Sequence, residues 1–174
     1  MFRVFITNLG KYNEGKLVGK WLDLPCDDIE EELKTIGVSD KPDENGIYYE
    51  EYFITDYEND IDMEIGEYDN LYKLNEYAKE IEELNDDEKL CLRALIEYGK
   101  DLEFALEHIG DVATYGDCWD MTDVEYLVVE DLGILDEIPK EWQNYFDYEG
   151  FGRDLDIEGK FIYMGNGIYA EIMY

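Results

Sequence analysis

Asn70-Leu-Tyr-Lys-Leu-Asn-Glu-Tyr-Ala-Lys-Glu-Ile-Glu-Glu-Leu84 is the stretch in which the hydrophobic pattern of this chain changes from that of strands to that of helices. The apolar residues recur at intervals of three and four, and they are Leu71, Leu74, Tyr77, Ala78, Ile81 and Leu84. Glu76, Glu80 and Glu83 fall on the opposite face. This spacing predicts an amphipathic helix with its acids in water.

The residues before this helix show the pattern of a small sheet. Segments 2–8, 16–24 and 51–57 are rich in Val, Ile, Phe and Tyr and are bounded by Gly, Pro or Asn, which predicts three strands. Between the second and third, residues 27–37 begin with Asp, continue with acids and end at Gly, which predicts a helix. Residues 56–69 alternate acids with single apolar residues and lead into the helical part.

The residues after it alternate between helical and strand patterns. Helices are predicted from Asp86 to Tyr98, from Asp101 to Ile109, from Asp120 or Thr122 to Leu132, and from Pro139 through Phe146. At the end of the chain, two strand-like segments flank Gly165-Asn166-Gly167, which predicts a β-hairpin. The whole pattern predicts an α+β fold with a small antiparallel sheet, a central helical bundle, and a mixed final part of helices plus the hairpin.

The charge of the chain is its outstanding property. Against 14 Lys and Arg stand 46 Asp and Glu, so the formal net charge is −32. Such a surface repels nucleic acid and anionic membranes and attracts cationic partners. Aromatic residues make up 15% of the chain, which excludes a disordered acidic tail, since disordered segments are poor in aromatics. We therefore expect a folded cytoplasmic protein without a signal peptide or membrane span.

The amount of charge can be compared with that of DNA. At one charge per 1.7 Å of duplex axis, −32 matches about 54 Å, or about 16 base pairs. Spread evenly over a compact surface, it gives one net charge per about 280 Å². The surface of a DNA duplex carries one phosphate charge per about 107 Å². A DNA-like surface therefore needs the acids concentrated on one strip or continued on a second copy of the chain, and self-repulsion favours an elongated particle.

The residue types that usually carry catalysis or hold metals are sparse. His108 is the only histidine, and Cys26, Cys91 and Cys118 form no Cys-x-x-Cys pair, so all four are interpreted as packing residues. The run from Asp56 to Glu67 places acids at the positions of a calcium loop, but Ile61 stands where that loop requires Gly. We expect no catalytic residue, no dedicated metal site and no cofactor.

Acids occur in every segment and on the outward side of each predicted helix. On an ordinary protein this pattern indicates a solvated surface, but ordinary surfaces mix both signs because excess charge destabilises the compact state. We therefore predict a partner-binding role for these side chains. The candidate phosphate-mimicking acids are Asp27, Asp28, Glu30, Glu31, Glu32, Glu50, Glu51, Asp56, Glu58, Asp60, Asp62, Glu64, Glu67, Asp69, Glu76, Glu80, Glu83, Asp86, Asp87, Glu88, Glu103, Glu107, Asp111, Asp117, Asp120, Asp123, Glu130 and Asp131.

Four segments carry a family resemblance. They are Arg3-Val-Phe-Ile-Thr-Asn-Leu-Gly-Lys-Tyr-Asn-Glu-Gly15, Gly19-Lys-Trp-Leu-Asp-Leu-Pro25, Tyr52-Phe-Ile-Thr-Asp-Tyr-Glu58 and the block from Leu92 to Gly110. Together they resemble the ArdA antirestriction proteins of conjugative plasmids and transposons, and the last block is similar to that family's antirestriction region.

The resemblance implies an architecture and a target. It implies an elongated molecule of three small domains: an N-terminal sheet domain with one helix (1–61), a central helical domain (62–107) and a C-terminal α+β domain (108–174) through which two copies dimerise. It further implies mimicry of bent B-form DNA that occupies the methyltransferase core of type I restriction-modification enzymes. No residue is catalytic on this account.

Two other interpretations remain open at this point. One is an acidic binding module for a different cationic DNA-binding protein, which shares the charge but not the target. The other is a salt-adapted protein with an unrelated activity, which would need molar salt to fold. A pull-down separates the first from an antirestriction protein, and folding in ordinary buffer argues against the second.

Overall fold

A computed structural model describes residues 1–174 and divides them into two compact units, Met1–Asn85 and Asp86–Tyr174. Each unit contains helices and one three-stranded antiparallel sheet, so the predicted α+β fold is confirmed. The boundary between the units falls within 62–107, and the division into three domains stays a prediction. None of the helices is long and apolar enough to cross a membrane.

The first unit consists of one sheet and three helices. In chain order its elements are β1 (Phe2–Asn8), α1 (Leu9–Asn13), β2 (Gly19–Asp23), α2 (Ile29–Thr35), β3 (Tyr52–Asn59) and α3 (Leu71–Glu83). The strand order is β2-β1-β3, so β1 is central and both its neighbours run antiparallel to it. Val4 and Ile6 of β1 are completely buried, which follows from their alternate positions on one face of a central strand.

Helices α2 and α3 supply the apolar residues that cover this sheet. The sheet residues Val4 and Ile6 share one core with Leu33 of α2 and with Leu71 and Leu74 of α3. The prediction of an amphipathic helix over 70–84 is therefore confirmed. Its start is set by the side chain of Asn70, which accepts hydrogen bonds from the first backbone amides of the helix.

Two buried asparagines connect separate segments of the first unit. Asn75 of α3 accepts from the backbone N–H of Cys26 at 2.7 Å and donates to its carbonyl at 3.0 Å. Asn8, at the end of β1, accepts from Lys11 N–H at 2.9 Å and donates to the Ile36 carbonyl at 3.2 Å. Since buried backbone groups need partners, these amides take the place of missing backbone hydrogen bonds.

The second unit also consists of helices and one three-stranded sheet, but its helices and strands follow one another in a different order. Its elements are α4 (Asp86–Glu97), α5 (Leu102–Glu107), a 3-10 turn (Ile109–Asp111), β4 (Val112–Tyr115), α6 (Met121–Asp131), a 3-10 turn (Ile134–Glu137), α7 (Lys140–Gln143), α8 (Tyr148–Glu158), β5 (Phe161–Gly165) and β6 (Ile168–Ile172). The strand order is β4-β6-β5. Helix α4 packs against α5 and the sheet, and α6 packs against α8.

The predicted hairpin at the end of the chain is confirmed as β5 and β6. Gly165, Asn166 and Gly167 all have positive φ angles of 86°, 53° and 73°. This left-handed backbone suits Gly and Asn and is strained for other residues, which is why the turn forms at this place.

Several elements differ from the sequence prediction. Strand β2 begins only at Gly19, because Leu17 is outside the sheet and 71% exposed. Strand β4 and helices α1 and α8 were not predicted: α1 and β4 are short, and Gly150 and Gly152 lower the helix propensity of α8. The helix predicted from Pro139 through Phe146 ends at Gln143 and continues as turns.

Candidate partner-binding surface

The acids predicted to bind a partner are distributed over all parts of the first unit. In chain order they lie around and on α2 (Asp27, Asp28, Glu30, Glu31, Glu32), before and on β3 (Glu50, Glu51, Asp56, Glu58), in the loop 60–69 (Asp60, Asp62, Glu64, Glu67, Asp69) and on α3 (Glu76, Glu80, Glu83). Within this group only Glu32 is half-buried, and the others are exposed. All of them except Glu32 are therefore exposed to a partner in solution.

The acids predicted to bind a partner are also spread over several elements of the second unit. They lie on α4 (Asp86, Asp87, Glu88), on α5 (Glu103, Glu107), in the 3-10 turn (Asp111), in the loop before α6 (Asp117, Asp120) and on α6 (Asp123, Glu130, Asp131). Glu88, Asp111 and Asp123 are half-buried, and the rest are exposed.

Helix α3 presents the most regular row of carboxylates. Glu76, Glu80 and Glu83 share the face opposite its buried residues, and all three are exposed. At 1.5 Å of rise per residue the row spans about 10.5 Å of helix axis, or one carboxylate per about 5 Å. One strand of B-DNA presents a charge per about 3.4 Å of axis, so a single helix face approaches the charge spacing of one DNA strand.

The loop 60–69 is a second acidic segment, and its shape has an identifiable cause. The Asn59 side chain accepts from the backbone of Met63 at 2.9 Å and donates to the Met63 carbonyl at 2.8 Å. Ile61 and Ile65 are buried while Asp62 and Glu64 are exposed. The alternation of acid and apolar residue thus turns every second side chain toward water.

Some of the predicted acids also stabilise the fold by capping helices. Asp28 accepts from Glu31 N–H and caps α2. Asp120 caps α6, and the side chain of Asp123 accepts a hydrogen bond from the backbone N–H of Trp119 at 2.8 Å. Both side chains therefore stabilise the first turn of that helix. A role in the fold does not remove their charge, but replacing them would change the structure as well as the surface.

Several basic side chains are engaged by the chain itself. Arg3 donates to Glu58 at 2.6 Å and lies 4.6 Å from the centre of the Trp21 ring. Lys20 forms an ion pair with Glu32. These contacts compensate part of the positive charge inside the molecule.

Lys100 is the basic side chain with the most aromatic neighbours. Its ammonium lies 5.5 Å from the ring of Tyr98, 5.2 Å from Phe104 and 5.0 Å from Tyr174. Two of these rings also contact His108, which stacks on Phe104 at 3.9 Å, lies 5.7 Å from the ring of Tyr174 and contacts Asp111 through Nδ1 at 2.6 Å.

The acids and cysteines do not assemble into a metal-binding group. No three His, Cys, Asp or Glu side chains come together in such an arrangement. Cys118 is completely buried, and Cys26 and Cys91 are half-buried. Burial raises the pKa of all three thiols, with neighbouring carboxylates adding to the effect.

The sequence interpretation missed acids that are paired with tyrosines. Tyr49 donates to Glu14 at 2.7 Å, which raises the pKa of Tyr49 to about 12 and lowers the pKa of Glu14. Tyr115 donates to Glu171 at 2.7 Å, and burial followed by this bond raises the pKa of Tyr115. These pairs join residues that are distant in sequence, so no local spacing could reveal them.

Glu125 was missed for a different reason. It lies on α6 among apolar residues and is only 3% exposed, so it belongs to the interior and not to the acidic surface. Helical periodicity carried the missed signal, because Glu125 lies at three- and four-residue spacing from Met121, Val128 and Val129 on the apolar face of this helix.

Comparison with known proteins gives one result that covers nearly the whole chain. The model of a family described as Antirestriction protein (ArdA) matches residues 4–170. No curated protein matches the chain. The matched range covers most of each unit and includes all of the predicted surface acids.

Proposed function

The chain belongs to the ArdA family of antirestriction proteins, and we therefore propose that it blocks type I restriction-modification enzymes in the cytoplasm by imitating B-form DNA. In this proposal, surface carboxylates take the place of phosphates in the DNA-binding groove of the methyltransferase core. The chain performs no catalysis and needs no cofactor. Family membership supports an antirestriction function and an encounter with restriction-modification enzymes, and the surface of this chain supports the mechanism.

The observation that carries the proposal is the set of exposed carboxylates that have no partner within the chain. Glu76, Glu80 and Glu83 of α3 are exposed and form no hydrogen bond or ion pair through their side chains. A basic groove that meets such a row gains electrostatic energy without first having to break an existing ion pair. The internal contacts of Arg3, Lys20 and Lys100 reduce the repulsion that the groove would otherwise meet.

Competition with DNA provides the direct test. We expect a short duplex of about 16 base pairs, the length matched by the net charge, to displace the protein from a purified type I methyltransferase core. Fluorescence anisotropy of labelled protein would follow the displacement. If the complex persists at saturating duplex, the two ligands occupy different sites and the mimicry proposal is wrong.

The same complex should depend strongly on salt. Binding through many exposed charges weakens as the ionic strength rises, and we expect at least about a tenfold loss of affinity between 50 and 200 mM NaCl. Affinity that is independent of salt would show that apolar contacts dominate. Binding through uncharged groups would then replace the proposed imitation of phosphates.

We place dimerisation in the second unit. Its most exposed large apolar side chains are Trp119, Leu132, Trp142, Tyr145 and Ile157, with exposures of 63% to 80%. Such residues favour association, since contact with a second copy removes their apolar area from water. A dimer would also extend the acidic surface beyond what one chain provides.

Substitution of Ile157 by Asp tests this placement. Ile157 is 75% exposed, and a charge at this position is expected to shift the protein from dimer to monomer in sedimentation equilibrium by opposing burial of the site. Ile47→Asp is the matched control, because Ile47 is 45% exposed in the first unit. Equal behaviour of the two variants would contradict a dimer interface at Ile157.

A further inference from the structure

The contact between α6 and α8 contains a buried carboxyl group that the proposed function does not use. Glu125 of α6 is 3% exposed, and its carboxyl group lies directly against Gly152 of α8. A methyl group at residue 152 would overlap Oε2 of Glu125 and lie 2.9 Å from its Cδ. The glycine therefore creates the space that the carboxyl group fills.

The surroundings of this carboxyl group are acidic. Asp120, at the start of α6, and Asp147 and Glu149, at the start of α8, act on it with their negative charge. The 3-10 turn that also packs against α6 brings Asp136 and Glu137.

No basic residue is built into the contact itself. Helix α6 contains none, and the one in α8, Arg153, has an exposed side chain. Burial without a cationic partner, among negative charges, disfavours the ionised form of a carboxyl group.

We infer that Glu125 is a proton-operated switch of the α6–α8 contact, which is tight when the carboxyl group is neutral and loosened when it is ionised. The space beside Gly152 holds the carboxyl group in either form. Only the ionised form carries the cost of burial and of repulsion by Asp120, Asp147 and Glu149. The switch acts on the attachment of α6, the helix that presents Glu130 and Asp131 on the surface.

The direction of the pH effect follows from this burial. Burial, and after it the neighbouring acids, raises the pKa of Glu125 above its ordinary value of 4.5. The folded protein then keeps a proton that the unfolded chain has lost. The free energy of unfolding consequently falls as the pH rises from 4.5 toward the raised pKa and is level above it.

The experiment follows Glu125 in the full chain. A ¹³C NMR titration of the side-chain carboxyls, with Glu125 assigned through correlations to its own backbone, should place its midpoint above 4.5. Denaturant unfolding should show the folding equilibrium constant of the wild type falling about tenfold per pH unit relative to Glu125→Gln inside the window. Glu158→Gln, which removes an exposed acid at the far end of α8, is the control that keeps this pH dependence.

Salt separates the switch from general charge repulsion. With 46 acids the whole chain becomes less stable as it ionises, but 1 M NaCl screens that repulsion and not the burial of one carboxyl group. The difference between wild type and Glu125→Gln should therefore persist in high salt. A midpoint at or below 4.5, or parallel pH profiles of the two proteins, would overturn the inference; if Glu125→Gln does not fold, the wild-type titration alone decides.

Discussion

Replacing Glu50, Glu51, Glu64, Glu67, Glu76, Glu80 and Glu83 together by glutamine is expected to weaken binding to a type I methyltransferase core by about 1,000-fold and to abolish antirestriction. All seven are exposed, and none has a side-chain partner within the chain. Exposed ion pairs contribute about 0.2–1 kcal/mol each, so seven contribute on the order of 4 kcal/mol, or about three powers of ten. Titration calorimetry gives the affinity, and plating of unmodified phage gives the activity.

The control variant carries aspartate at the same seven positions. It keeps the charge and shortens each side chain by one methylene, so we expect it to retain most of the affinity. Its cost in helix propensity is a few tenths of a kcal/mol per residue on α3. If the glutamine variant binds as well as the wild type, while circular dichroism shows both to be folded, the acids of the first unit are not part of the binding surface.

Leu95→Ala is expected to destabilise the second unit by about 2–5 kcal/mol, which is the largest stability effect that we predict for a single substitution. Leu95 lies on α4 and is completely buried, as are Leu92 and Ala94 beside it. The loss combines the apolar area returned to water with the cavity left behind. Denaturant unfolding with amide hydrogen exchange as the probe would assign the loss to residues 86–174.

Leu17→Ala makes the same chemical change at a position in water. Leu17 is 71% exposed, so its truncation should change the free energy of unfolding by less than about 0.5 kcal/mol. Similar losses in the two variants would mean that the interior position of Leu95 does not matter. In that case α4 would not be an essential part of the core of the second unit.

The elements that sequence reasoning predicted well are those with a repeated local signal. The helix over 70–84 has apolar residues on one face and an asparagine cap, and the final hairpin has three residues that tolerate positive φ. Helix α8 lacked such a signal because Gly152 lowers its propensity. That glycine is explained only by Glu125, which lies 27 positions earlier in the chain and fills the space beside it.

Most of the acids proposed to bind a partner are exposed, because an ionised carboxylate is expensive to bury and faces water by default. The same rule failed at Glu125, where a tertiary contact encloses the group. Tertiary contacts also decided which acids form hydrogen bonds within the chain, as Glu58 does with Arg3 and Glu14 with Tyr49. Such pairs join strands and loops that are far apart in the chain, and hydrophobic periodicity carries no information about them.

By itself the amino-acid sequence determined the α+β class, the acidic character of the surface and the family, because composition, local periodicity and short motifs are properties of neighbouring residues. Only the tertiary structure decided which carboxylates remain unpaired and which one is enclosed. Those properties depend on the distances between segments brought together by folding, and the energy of a charge depends on what surrounds it.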